Sequence, residues 1–199
     1  VPNPLPRPHT GRRRNDAARR AILDVTAELL GRAGPTVTVA DIAAAAGVSK
    51  QTIYRWWPSK GAVLLETMTE WARSTAPDRD TGAVREDLRI FLTATFTAAS
   101  GSSSGSLLRA VLAEAQTDAA TAELLAAFTA DRHAILYRIL ERGRERGELP
   151  ADADLDLLTD QAFGLLWYRL AVAHTPLDTQ VAARLTDSLC GRETADGPR

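Results

Sequence analysis

The sequence predicts an all-α fold, a three-helix head on a larger helical body with about nine helices in all. Three observations carry this. Strand signals are nearly absent from the 199 residues, apolar spacing of i, i+3, i+4, i+7 runs almost throughout, and the segments so patterned are closed by glycine or proline. The length suits one large domain or two small ones with a real core, and no apolar run approaches the roughly 20 residues needed to cross a bilayer.

Residues 1–14 are rich in Pro, Gly and Arg and read as a flexible basic arm. From Asn15 the positions Ile22, Val25, Thr26, Leu29, Leu30 and Ala33 line one face of a first helix that Asn15 or Asp16 can cap and Gly34-Pro35 ends. Thr38, with Asp41 three residues on, caps a short second helix whose inward face is Val39, Ile42, Ala43 and Ala46. Gly47 supplies the left-handed turn that stops it, Ser49 caps a third helix from Lys50 to about Trp57, and Pro58 ends that one. Two short helices around a glycine turn have the form of a helix-turn-helix. Ser59 caps a fourth helix to about Ser74. "STAPDRDTG" is a hinge-like break, "SGSSSGS" (100–106) reads as a flexible loop, and further helices fall near 83–99, 107–116, 119–146, 154–173 and 178–190. The domains expected are an arm over 1–14, a DNA-binding head over 15–60 and a body over 61–199.

Charge divides the same way. Residues 1–60 hold ten Lys/Arg against four Asp/Glu, a balance of +6, whereas the rest hold fourteen against twenty-one, a balance of −7. A basic end on an acidic remainder points to a polyanion at that end only. The stretch "GVSKQTIYRWWPSK" shows how contact would be made. On a helical wheel Ile53 and Trp57 share the inward face, and Gln51 and Arg55 lie opposite, flanked by Thr52 and Tyr54, with Lys50 at the helix entrance. Gln suits adenine, Arg or Lys suits guanine, and the hydroxyls of Thr52 and Tyr54 suit phosphate oxygens. Lys60 opens the fourth helix, where free N–H groups favour a phosphate. Arg12, Arg13 and Arg14 either enter a minor groove, lie along phosphates, or form a solvated tail.

Here "VTVADIAAAAGVSKQTIYRWWPSKGAVL" resembles the DNA-binding region of the TetR-type transcriptional repressors, a likeness that is strong over about Ala17 to Leu65. The resemblance implies that Thr38, Thr52, Tyr54, Trp56 and Lys60 hold phosphates while Lys50, Gln51 and Tyr54 approach bases. Trp56 departs from the usual pattern, which often places a histidine there. The resemblance also implies a ligand pocket in the body, a homodimer, and a ligand-responsive repressor that binds a pseudo-palindromic duplex.

For the pocket, apolar and aromatic side chains with a few polar groups are the expected lining. The candidates are Phe91, Phe96, Leu112, Phe128, Leu136, Phe163, Trp167 and Tyr168, with Glu114, Arg132, His133 and Arg169 as polar anchors. For the dimer, the last two helices offer Leu155, Leu158, Ala162, Leu165, Leu166, Arg169, Val172, Val181, Leu185 and Leu189, and the small Ala162 and Gly164 permit close helix approach. An intramolecular core would account for these stripes too, and the dimer is preferred because paired heads can read two half-sites about 34–36 Å apart.

No catalytic motif is present, and His9, His133 and His174 lack metal-ligand spacing, so neither an enzyme, a metal nor a cofactor is expected. The single Cys190 fits a reducing, cytoplasmic setting without disulfides. The rival from another class is a helical protein-interaction or small-molecule-binding module. It would explain the body and leave the basic, aromatic head unexplained.

Overall fold

The computed structural model describes residues 10–73 and 78–191, the side chains of 10–14, 35 and 71–73 excepted. Nine α-helices and no strand occur among the described residues: α1 (Thr10–Ala33), α2 (Val39–Ala45), α3 (Lys50–Trp56), α4 (Lys60–Arg73), α5 (Val84–Ser100), α6 (Ser102–Ala115), α7 (Ala119–Glu145), α8 (Leu155–Trp167) and α9 (Thr179–Leu189). No described helix is long and apolar enough to cross a membrane.

The caps predicted at Thr38, Ser49 and Ser59 are in place, whereas Asn15 and Asp16 stand inside α1 rather than at its start. Thr38 and Asp41 form a reciprocal box, with the Thr38 N–H donating to Asp41 Oδ2 at 2.8 Å and the Asp41 N–H to Thr38 Oγ1 at 3.2 Å. Side-chain and backbone hydrogen bonds from Thr38 hold the Asp41 carboxyl below the usual aspartate range. This share of the cap's stability is complete above the ordinary aspartate pKa and drains away as pH falls through the depressed value. Gly47 adopts the left-handed conformation (φ 65) that lets the chain reverse between α2 and α3.

Two expectations change. α1 begins at Thr10, five residues earlier than the sequence pattern suggested, so the backbone of Arg12, Arg13 and Arg14 continues the helix. Their side chains lie outside the described residues. The serine-rich stretch is helical from Ser102, although its composition favours a loop. Tertiary packing decides this, because α6 lies along α1 so closely that a Cβ on Gly31 would stand 2.2 Å from Ser103 Oγ.

The segment between α4 and α5 is pinned where it is described. Asp78 receives Arg138 and Arg142 of α7, both at 3.0 Å, and Arg146 reaches Asp80 at 3.2 Å. Asp87, almost wholly buried, accepts the Thr81 N–H at 2.8 Å and its hydroxyl at 2.7 Å. Head and body share one continuous core, running from Ile22, Ile42, Ile53 and Trp57 through Val63 and Met68 to Phe91, Leu136 and Ile139. α9 packs along α5, and α7 along α5 and α8.

Candidate nucleic-acid interface

α3 is built to show one face and bury the other. Ser49 caps it, accepting the Thr52 N–H at 3.1 Å. Ile53 is fully buried and Trp57 is 2% exposed, while Lys50, Gln51, Tyr54 and Arg55 stand in solvent, Tyr54 at 51%. Thr52 is half-buried, its hydroxyl 2.9 Å from Ser49 Oγ. Thr38 is exposed at the start of α2 on the same head.

The two adjacent tryptophans divide the labour. Trp57 meets Trp56 edge-on, with centroids 5.6 Å apart, and its indole N–H donates to Glu66 Oε2 of α4 at 2.7 Å. The same oxygen receives Arg19 of α1 at 2.6 Å, and the Arg19 guanidinium lies 5.9 Å from the Trp57 ring centroid. Trp56 is half-buried, and the Arg55 guanidinium lies 5.4 Å from its ring centroid. That contact limits the arginine's wandering without consuming its hydrogen-bond donors.

Lys60 has a partner in the body that its place at a helix start did not announce. Its ammonium is 3.3 Å from Glu114 of α6, so lysine and glutamate join head to body. Glu114, expected to anchor a ligand, is engaged in this junction. Around it α4 and α7 nearly touch, since a Cβ on Gly61 would stand 1.7 Å from Thr121 Oγ1. Asp118, the cap of α7, also hydrogen-bonds Ser59. Sequence spacing gave no signal for these contacts, because they link positions more than 50 residues apart.

The structure also sorts the body's candidates. Phe91 and Phe96 are wholly buried. Phe91 meets Phe163 edge-on at 6.5 Å, His133 stacks on Phe163 at 6.5 Å, and the Arg132 guanidinium lies 5.3 Å from the Phe91 ring centroid. Burial pushes the Arg132 pKa down, and no described carboxylate pairs with it. His133, Phe163 and Trp167 line a groove of about 630 Å³ between α7 and α8, where His133 Nε2 is 3.5 Å from Asp160. Phe128 and Leu112 are half-buried against the core. Tyr168 is 58% exposed and belongs to the outer face rather than to a pocket.

Four residues expected at a dimer seam, Leu155, Ala162, Leu166 and Leu189, are instead core of their own chain. Leu158, Leu165, Val181 and Leu185 are half-buried against that core, and Arg169 donates to the Pro176 carbonyl at 2.7 Å. The exposed apolar stripe lies one position round the helix, at Leu157, Gly164, Tyr168 and Val172. Gly164 and Val172 were expected there, whereas Leu157 and Tyr168 were not, because neighbouring residues differ by about 100° on a helix and periodicity misjudged the phase at those positions.

Such an arrangement defines a helix-turn-helix head carried on a helical body. The chain matches the family described as "Bacterial regulatory proteins, tetR family" over residues 22–67 and "Tetracyclin repressor-like, C-terminal domain" over residues 78–189. It belongs to the TetR family of transcriptional regulators. Among solved structures, the TetR family transcription regulator SCO0332 is 35% identical, with 87% of this chain and 96% of that one covered and a TM-score of 0.70. FadR from Bacillus subtilis, solved in complex with stearoyl-CoA, shares the fold at 18% identity, covering 86% of this chain and 97% of that one with a TM-score of 0.69. The HTH-type transcriptional regulator YdeS of Bacillus subtilis is 40% identical over 79 residues, 39% of this chain and 40% of that protein. AqdR of Rhodococcus erythropolis is 35% identical over 89 residues, 43% of each chain. The matched region thus spans about two fifths of the length of these curated relatives.

Proposed function

We propose that this chain is a ligand-responsive repressor that reads a pseudo-palindromic duplex as a homodimer. The observation that carries the reading is the outer face of α3, where Lys50, Gln51, Tyr54 and Arg55 are exposed over a buried Ile53 and Trp57. Gln51, Arg55 and Lys50 contact base edges in the major groove. Thr38, Thr52, Tyr54 and the N–H of Trp56 hold phosphates, and Lys60 adds a positive charge near the backbone while remaining paired to Glu114. The stripe Leu157, Gly164, Tyr168 and Val172 forms the seam with a second copy, since no described residue of its own chain covers it. Two heads so joined meet half-sites about 34–36 Å apart.

Selection of duplexes from a random pool, followed by fluorescence anisotropy, tests this. The expected result is a two-fold-symmetric consensus bound by a dimer. Tyr54→Ala should lower affinity about equally for all duplexes, because a phosphate contact carries no sequence information. Enrichment of no sequence over competitor DNA would favour the rival interaction-module reading.

The effector site follows from Arg132. A desolvated guanidinium without a carboxylate is costly, and a ligand's anionic group against the Phe91, Phe163 and His133 cluster would relieve it. An anionic head with an apolar tail suits this lining, in keeping with the stearoyl-CoA complex of FadR. Replacing Arg132 with methionine should raise the thermal midpoint by a few degrees and abolish release of the duplex by an effector. A variant less stable than the parent, and still responsive, would take Arg132 out of the site.

A further inference from the structure

The first turn of α6 separates two cavities. One, of about 450 Å³, opens toward the head between Leu23 and Asp24 of α1 and Thr67 and Glu70 of α4. The other, of about 330 Å³, opens on the opposite flank against the end of α8. Its chemistry is one-sided, because Arg109, Arg169 and His174 line it together with Ser100 and Ser102, and no carboxylate among the described residues does.

Several arginines elsewhere in the chain are neutralised, unlike these two. Arg19, Arg85, Arg89, Arg138, Arg142 and Arg146 all have a carboxylate within 4 Å. Arg109 and Arg169 have none: one donates to Ser106 Oγ at 3.3 Å and the other to the Pro176 carbonyl at 2.7 Å. Each guanidinium keeps further donors for an outside acceptor.

The backbone around the cavity is specialised too. α8 gives way at Tyr168 to a π-helical stretch (Tyr168–Ala173), a geometry concentrated at functional sites. The stretch ends at His174, the only non-glycine with positive φ among the described residues (φ 50). Tyr168 and Val172 face solvent, whereas Leu170 turns inward to the cavity wall. α6 starts at Gly101 without a side-chain cap, so its first N–H groups stay available. Gly105 brings the helix close: a Cβ there would stand 2.7 Å from the Ala99 carbonyl oxygen and 3.5 Å from Arg109 Nη1.

We propose that this cavity is a second ligand site, separate from the Arg132 cluster, which takes a small molecule bearing a phosphate or carboxylate group. Arg109 and Arg169 grip the oxyanion, the first N–H groups of α6 add directed donors, and the imidazole of His174 closes the edge. The bound anion would lie on the turn whose other side touches the head, where Ser103 packs against Gly31 of α1. Occupancy therefore bears on the head by a route that does not pass through α4.

The test uses the full chain in calorimetric titration and thermal melts with inorganic phosphate, with acetate, and with chloride at matched ionic strength. Saturable binding of phosphate or of acetate beyond the chloride control is expected, and the anion that binds identifies the ligand's acidic group. Arg169→Gln and Arg109→Gln should each weaken it at least tenfold. Should Arg109→Gln fail to fold, Arg169→Gln alone decides. Equal responses to all three salts, or parental affinity in Arg169→Gln, would overturn the site. Neither result depends on duplex binding, so the regulator reading stands or falls separately.

Discussion

Replacing Trp57 with alanine should leave the body folded and abolish duplex binding. Trp57 is 2% exposed, meets Trp56 edge-on, and donates to Glu66 at 2.7 Å. Truncating a buried aromatic to alanine costs about 3–5 kcal/mol. A head of this size has little more than that in reserve, since so short a segment buries too small a core. The loss also strips Glu66 of one donor and Arg19 of the ring it lies over. Circular dichroism should show a partial loss of helix at room temperature, followed by one transition from the body, with duplex binding undetectable. A single parental melting transition with intact binding would show that the indole is dispensable and that α3 is held by other contacts.

Gln51→Ala and Arg55→Ala should keep the fold and change what is read. Both side chains are exposed, and neither is engaged in an ion pair or hydrogen bond among the described residues. Each base-edge contact is worth about 1–3 kcal/mol of discrimination, so affinity for the selected duplex should fall roughly tenfold to a hundredfold. Affinity for unrelated duplexes should hardly move, and repeating the selection should show one base in each half-site relaxed. This pattern differs from the uniform loss expected of Tyr54→Ala. If Gln51→Ala or Arg55→Ala lowered affinity equally for every sequence, that residue would be a phosphate contact and the orientation of α3 in the groove would need revision.

The head was readable from sequence because its determinants are local. Thr38 with Asp41, the left-handed Gly47, and Ser49 with Thr52 act within three or four residues of one another, and the pairing of Ile53 with Trp57 follows from helical pitch. The body was less readable because its decisive contacts are distant. Composition made 100–106 a loop, and only the crowding of Ser103 against Gly31 explains the helix found there. The same holds for Lys60, whose place at a helix start suggested a phosphate while Glu114 claims it. Periodicity found the apolar stripes of α8 and α9 but could not tell a chain's own core from a partner's, so Ala162, Leu166 and Leu189 were assigned outward while Tyr168 was assigned inward.

Glu66 takes both the indole of the reading element and the guanidinium of the first helix on one carboxylate oxygen. Three rods meeting at a single atom cannot turn independently, so no hinge exists where α4 joins the head. When α4 tilts, the whole reading surface travels with it as one rigid piece. Two such pieces in a symmetric pair would then differ between states only in the gap that separates them, and the groove-facing side chains would need no rearrangement of their own.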